Sequence, residues 1–217
     1  MSRILPILFN TEMVRAILDG RKTVTRRVVK QSVRENFVCE RGKVINFLDE
    51  KTDALESPIF KAPFQNGDIL YVRESFCQNY FDEFLAGYRG DGLRGNRNAY
   101  KADYRKEIVG DTVSEPKWTP SIHMPKEAAR IWLKVMDVRV ERLQKMWASD
   151  VSKEGMIFTK PHTCEEMLKK FSILWNSTIK KSDIDRYGWD ANPWVWVIEF
   201  ERCKKPGSEE QYGNKKL

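Results

Sequence analysis

The sequence predicts an α+β fold: a small mixed β-barrel with peripheral helices and a long insertion. Three observations point there. Short apolar runs with strand spacing are separated by short stretches with helical spacing. The final ordered stretch, Trp194-Val195-Trp196-Val197-Ile198-Glu199-Phe200-Glu201, is apolar on both faces, as a strand closed into a layered core requires. Helical patterns are few and no glycine-rich phosphate loop follows a strand, which disfavours a parallel βαβ winding. At 217 residues the chain is long enough to bury a substantial core, and one domain over 1–203 is expected. An insertion at about 77–117 and a frayed polar tail at 204–217 complete it.

Ile4 to Phe9 reads as a buried strand, and Pro6 within it puts that strand at an edge, because proline cannot donate to a ladder. Asn10 or Thr11 can cap a helix whose apolar stripe is Met13, Val14, Ile17 and Leu18; Gly20 suits its left-handed stop. The β-branched residues of 23–29 suggest a strand with Thr23, Thr25 and Arg27 on one face and Val24 and Arg26 on the other. Within 31–63 a hairpin about Arg41-Gly42 pairs Phe37-Val38 with 44–47. Gly67-Asp68 precedes a firm strand over 69–73. Between Phe76 and Pro120 the pattern weakens, and only 98–104 looks like a strand.

Order returns at Ala129. Ile131, Leu133 and Val135, then Val138 and Val140 after a bulge, offer a long strand to the core. Ser149 can cap a short helix through Glu154 that Gly155 ends. Thr163 with Glu166 makes a capping box for a helix to about Trp175, with Phe171, Leu174 and Trp175 inward.

A mean hydropathy of −0.57 and the lack of a long apolar run argue against membrane insertion. The amino terminus lacks the length and cleavage site of a secretory signal, so a cytoplasmic location is expected. Cys39, Cys77, Cys164 and Cys203 are far apart, without a CxxC pair and with only His123 and His162 to help; reduced thiols and no structural metal are expected. The net charge of +7 makes a polyanion partner plausible, since Lys and Arg bind phosphates with release of counterions.

The stretch Gly20-Arg21-Lys22-Thr23-Val24-Thr25-Arg26-Arg27 places four cations and two threonines in eight residues. Arg21 and Lys22 follow a helix end, where cations meet the negative end of the dipole. Arg73 and Glu74 beyond the firm strand can line a pocket or form an ordinary ion pair. Trp194 and Trp196 read as strand-core packing, whereas Tyr71 and Trp118 are better placed for stacking on a base. His123 can line a cleft or make a loop hydrogen bond.

These residues resemble the ASCH domain family, a PUA-like β-barrel group of bacteria and phages. Gly20, Lys22, Thr25 and Arg27 are similar to its G-x-K-x-x-T/E-x-R signature. The segments "NGDILYVRESF", "SIHMPKEAARIWLKVMDVRVERL", "SKEGM" and "YGWDANPWVWVIEFERC" look similar to parts of longer, phage- or prophage-encoded members. The likeness covers about 4–30, 65–76, 118–156 and 171–203. Smaller members are amidohydrolases that deacylate N4-acetylcytidine, and by motif their catalytic trio falls on Lys22, Thr25 and Glu154. No cofactor is implied. Other members bind or cut RNA, so the resemblance implies a nucleobase or nucleic-acid cleft rather than one reaction.

Amide hydrolysis needs a nucleophile, a base and a donor to the leaving amine. Thr25 supplies a hydroxyl. Lys22 serves as base only if burial or cations such as Arg21, Arg26 and Arg27 lower its pKa, while a close Glu154 raises it. Lys22 and Thr25 converge only if Lys22 sits in the turn after Gly20, outside strand alternation. The alternatives are a non-catalytic RNA or DNA reader, favoured by charge and by Arg89, Arg94 and Arg97, and a phage accessory interaction protein.

Overall fold

The computed structural model describes residues 2–29, 37–40, 43–48, 55–56, 62–80, 97–104 and 116–207. Its strands are β1 (Ile4–Leu8), β2 (Val24–Val28), β3 (Phe37–Glu40), β4 (Lys43–Leu48), β5 (Leu55–Glu56), β6 (Ile69–Arg73), β7 (Phe76–Tyr80), β8 (Arg97–Tyr100), β9 (Trp132–Arg142) and β10 (Trp194–Cys203). The helices are α1 (Thr11–Leu18), α2 (Ala148–Lys153), α3 (Cys164–Thr178) and α4 (Ile184–Tyr187). This is a mixed α+β fold. Five strands form a mostly antiparallel sheet in the order β1-β6-β9-β10-β2, with β1 and β6 parallel.

The expected barrel is corrected: among the described residues the five-stranded sheet is open, ending at β1 and β2. Pro6 explains one edge, as it lacks a ladder donor. The expectation that β1 is buried is corrected too, because Ile4 and Leu8 are 38% and 42% exposed and Ile7 alone in it is buried. Strands β3, β4 and β5 form a separate three-stranded sheet, and β7 with β8 a two-stranded one. The hairpin is present, with Phe37 opposite Phe47 and Glu40 opposite Lys43; its turn and Arg89 and Arg94 lie outside the described residues, as does most of the tail.

The chain divides into two compact units, one of residues 1–2, 20–68 and 134–201, the other of 3–19, 69–133 and 202–217. The first packs Val24 of β2, Val151 of α2, Phe171 and Trp175 of α3, and Val195 and Val197 of β10 into one apolar core. Thr163 and Glu166 form the capping box of α3: Thr163 Oγ1 accepts from Glu166 N at 3.2 Å and Glu166 Oε2 from Thr163 N at 2.9 Å. The register of apolar residues on β9 changes after Val135: Leu133 and Val135 are fully buried, 137–139 are half-buried, and Val140 is buried again.

The second unit has its own core of Phe76, Met124, Ala128, Ala129 and Trp132, with Tyr71 and Tyr100 packed on it. Asn10 caps α1 by accepting from Met13 N at 2.9 Å, and Val14, Ala16 and Ile17 are its buried face. Strand β7 runs into the segment expected to be an insertion and pairs with β8, Phe76 opposite Tyr100. The strand expected over 98–104 ends at Tyr100 and gives way to a turn at 101–103. Among the described residues no helix is long and apolar enough to cross a membrane.

Candidate functional site

Gly20 adopts φ +74° with open space around it, so backbone conformation rather than crowding calls for glycine there. The turn it makes releases Lys22 from strand alternation. Lys22 lies ahead of β2, in an isolated antiparallel bridge with Glu154. Thr23 N donates to Lys153 O at 2.9 Å, and Phe200 N to Thr23 O at 2.9 Å, which stitches the segment to both α2 and β10. β2 then pairs antiparallel with β10, Thr25 opposite Ile198 and Arg26 opposite Val197.

Helix α2 delivers the glutamate. Its N-cap is Trp147, two residues before the expected Ser149: Trp147 N donates to Asp150 Oδ2 at 3.0 Å, so an acid one turn in secures the first turn. Glu154 is the C-cap, and Gly155 at φ +93° ends the helix. Val151, fully buried in the apolar core, fixes the helix against β2 and β10.

Lys22 is 3% exposed and Glu154 5%. Lys22 Nζ, an ammonium with protons to donate, bonds Val24 O at 2.7 Å, Glu154 O at 3.0 Å and Glu154 Oε2 at 2.5 Å. The other oxygen, Oε1, accepts from Arg26 Nη1 at 3.0 Å. Arg26 Nη2 lies 3.4 Å from Asp150 Oδ2, and that nitrogen is buried without a hydrogen-bond partner. Arg21 Nη1 donates to Gly155 O. Thr25 is buried one residue beyond the carbonyl that Lys22 bonds. Arg27 is exposed.

Burial dominates the electrostatics of Lys22 and lowers its pKa from the ordinary lysine value; Glu154 opposes this through charge and hydrogen bond, and Arg27 and Arg26 reinforce it. The conflict foreseen between a basic lysine and a nearby glutamate is therefore decided by desolvation.

The expected trio thus divides. Lys22 and Glu154 touch; Thr25 is buried on β2, one residue after Val24, whose carbonyl Lys22 bonds. Sequence reasoning missed Asp150. Its signal was available, since residues four apart on a helix share a face and Asp150 and Glu154 together flank Arg26.

Tyr71, Arg73, Glu74, Trp118 and His123 belong to the second unit. Tyr71 packs at a tilt on Trp132, centroids 6.1 Å apart, and Trp118 meets Tyr104 edge-on at 5.5 Å. Arg73 Nη2 donates to Ile122 O, and His123 is exposed. Glu74, 1% exposed, is paired with Arg130: Nε to Oε1 at 2.9 Å and Nη2 to Oε2 at 3.0 Å. Arg130 also holds Asp103, at 2.6 and 3.1 Å, and lies 4.0 Å over the Tyr100 ring. Trp194 and Trp196, assigned to packing, are half-buried between fully buried Val195 and Val197. Among the described residues no cluster of His, Cys, Asp and Glu could hold a metal ion.

Comparison with protein-family models, with curated proteins and with solved structures finds no match to this chain.

Proposed function

We propose that this protein is an ASCH-like amidohydrolase that removes the acyl group from an N4-acylated cytidine or a related modified nucleoside. Lys22, Thr25 and Glu154 are its catalytic groups, and a PUA-like ancestry of the sheet belongs to the same reading. The observation that carries it is the 2.5 Å contact of Lys22 Nζ with Glu154 Oε2, both buried although 132 residues separate them. The G-x-K-x-x-T-x-R signature and the lowered Lys22 pKa support it further.

In its neutral form the Lys22 amine takes the hydroxyl proton of Thr25 as Oγ1 bonds to the acyl carbon. The bond from that carbon to the cytosine N4 then breaks, and the proton passes through Glu154 to the leaving amine. Water hydrolyses the threonine ester in the second half, giving one proton back to the Thr25 oxygen and releasing the carboxylic acid. The sum is amide plus water to amine plus acid.

Incubation with N4-acetylcytidine, followed by chromatography, tests the proposal. Cytidine and acetate are expected from the native chain, with turnover reduced by about 10²-fold or more in Lys22→Ala and Thr25→Ala while circular dichroism stays native. A folded native chain that leaves the acyl group in place overturns it, and Lys22 with Glu154 is then a structural clamp between β2 and α2.

A second reading, a non-catalytic reader of single-stranded RNA or DNA, is favoured by the net charge of +7. It requires retention that is strongest at low salt; no binding there removes it.

A further inference from the structure

We propose that Arg26 is the standing counter-ion of Glu154, a positioning residue that allows Lys22 to give up its proton without stranding a buried carboxylate. The inference rests on Lys22 acting as a base, and it assigns a role to a residue that the signature leaves unspecified, between Thr25 and Arg27.

The two oxygens of Glu154 face two different cations, Oε2 facing Lys22 at 2.5 Å and Oε1 facing Arg26 at 3.0 Å. Side-chain exposure is 1% for each cation and 7% for the acid, so solvent does little to neutralise any of the three. A carboxylate buried without a partner is costly. Of the two cations only the ammonium can lose a proton, because a guanidinium stays charged in proteins. When Lys22 becomes neutral, Arg26 and Glu154 still sum to zero. Without Arg26, the same step leaves an isolated negative charge, and Lys22 must keep its proton.

Asp150 secures the arrangement. It lies one turn before Glu154 on α2, so one guanidinium spans both acids. The 3.4 Å approach to Asp150 leaves Nη2 without a hydrogen bond, so the short bond of Arg26 is the one to Glu154. The charged groups acting on Lys22 include Glu154 at the end of α2 and Arg26 and Arg27 from β2; Asp150 of α2 faces Arg26, and Arg21 on the preceding turn bonds Gly155 O. A fixed cation on Glu154 separates the charge state of the lysine from that of the glutamate, while Asp150, 3.4 Å from that cation, is an anion that pulls the other way.

The test is a titration of Lys22 by NMR in lysine-labelled full-length protein, its signal assigned by its loss in Lys22→Met. Arg26→Gln is expected to move the Lys22 midpoint upward, toward the other lysines, and Arg26→Lys, which keeps the charge, to restore most of the native position. A native-like spectrum for Arg26→Gln with an unmoved midpoint overturns the proposal. If Arg26→Gln does not fold, Asp150→Asn decides: removal of the competing anion is expected to lower the midpoint, and an unmoved or raised midpoint overturns the proposal. Hydrolysis is a separate readout. In Arg26→Gln its rising pH limb is expected to shift upward, so that the rate recovers in more alkaline buffer, whereas a merely structural defect lowers the rate equally at every pH. A native chain inert toward N4-acetylcytidine sinks the hydrolase reading alone, since the titration does not depend on turnover.

Discussion

Each unit of the molecule buries a glutamate against a guanidinium, but the group that shares its ion pairs with two partners is the acid in one and the arginine in the other. In the first unit the buried Glu154 is shared by Lys22 and Arg26, two cations on one carboxylate, with Asp150 3.4 Å from the same arginine. In the second, Arg130 is shared by Glu74 and Asp103, two carboxylates on one cation. Because arginine stays protonated, only its partners in each cluster are able to change their charge. Burial lowers the pKa of Lys22. Burial raises that of Glu74, Arg130 pulling it back and Asp103 adding to the rise. For Arg130 itself, burial is outweighed by its bonds to Glu74 and Asp103, which hold its pKa above the ordinary value. The Glu74 cluster has the features of a structural staple: a bidentate fork, an aromatic face beneath it, and Tyr100 anchored by its hydroxyl to Ala128 O at 2.8 Å. The Lys22 cluster instead gathers its bonds on the lysine ammonium, which reaches Val24 O and both the carbonyl and the carboxylate of Glu154.

The strongest way to break this contrast is to remove the staple. Glu74→Ala leaves Arg130 with Asp103, whose side chain is 39% exposed, as its acid partner. A loss of about 3 kcal/mol is expected from breaking a buried pair on one side, read from the urea midpoint at unchanged slope. Glu74→Gln, which keeps volume and one acceptor, is expected to cost less. A loss of under ~1 kcal/mol in Glu74→Ala would put the cluster among surface ion pairs and end the comparison.

A pH series sharpens it. Lys22 has a folded pKa below its unfolded value of 10.5, so between the two the unfolded chain binds more protons and stability rises with pH. Its contribution is complete above 10.5 and lost as pH falls through the folded pKa. Glu74 has a folded pKa above its unfolded value of 4.5, so in its window the folded chain binds more protons and stability falls as pH rises. Its contribution is complete below 4.5 and lost through the folded pKa. Unfolding free energies of the native chain minus Lys22→Met should therefore climb with pH on the alkaline side. Those of the native chain minus Glu74→Gln should decline with pH on the acid side. Slopes of the same sign would show that one of the two clusters has been misassigned.

What the sequence made legible follows the range of the signals. Helix α1 with its Asn10 cap, Gly20, β6 after Gly67, and the Thr163–Glu166 capping box each depend on residues within a turn of one another, and each is present. The placement of Lys22 outside β2 was also readable, because Gly20 marks the turn. Strand β7 was not: Phe76-Cys77-Gln78-Asn79-Tyr80 lacks alternation, and its partner Tyr100 is 24 positions from Phe76 in the chain. Glu74 was singled out, but with its neighbour Arg73; its partner Arg130 lies 56 residues away. No spacing rule reaches that far. The pairing of Lys22 with Glu154 was reached through the family resemblance, and the open sheet differs from the barrel because closure depends on which edges remain unpaired, which local patterns do not encode.

The smallest expected effect concerns how the second cluster is supported. Arg15 on α1 donates to Ala102 O at 2.8 Å and to Tyr104 O at 3.2 Å, the carbonyls on either side of Asp103. The helix therefore holds the turn that presents Asp103 to Arg130. Asn10→Ala removes the side-chain acceptor for Met13 N and is expected to cost about 1 kcal/mol, the usual worth of such a cap. Asn10→Asp keeps the acceptor, adds a charge that the helix N-terminus favours, and is expected to be neutral or stabilising. Because the Asp103 amide is bonded to Tyr100 O at 3.0 Å, its hydrogen-exchange protection reports the same turn directly. Protection there should fall in Asn10→Ala and persist in Asn10→Asp; an unchanged value in Asn10→Ala would mean that the turn holds Asp103 without help from α1.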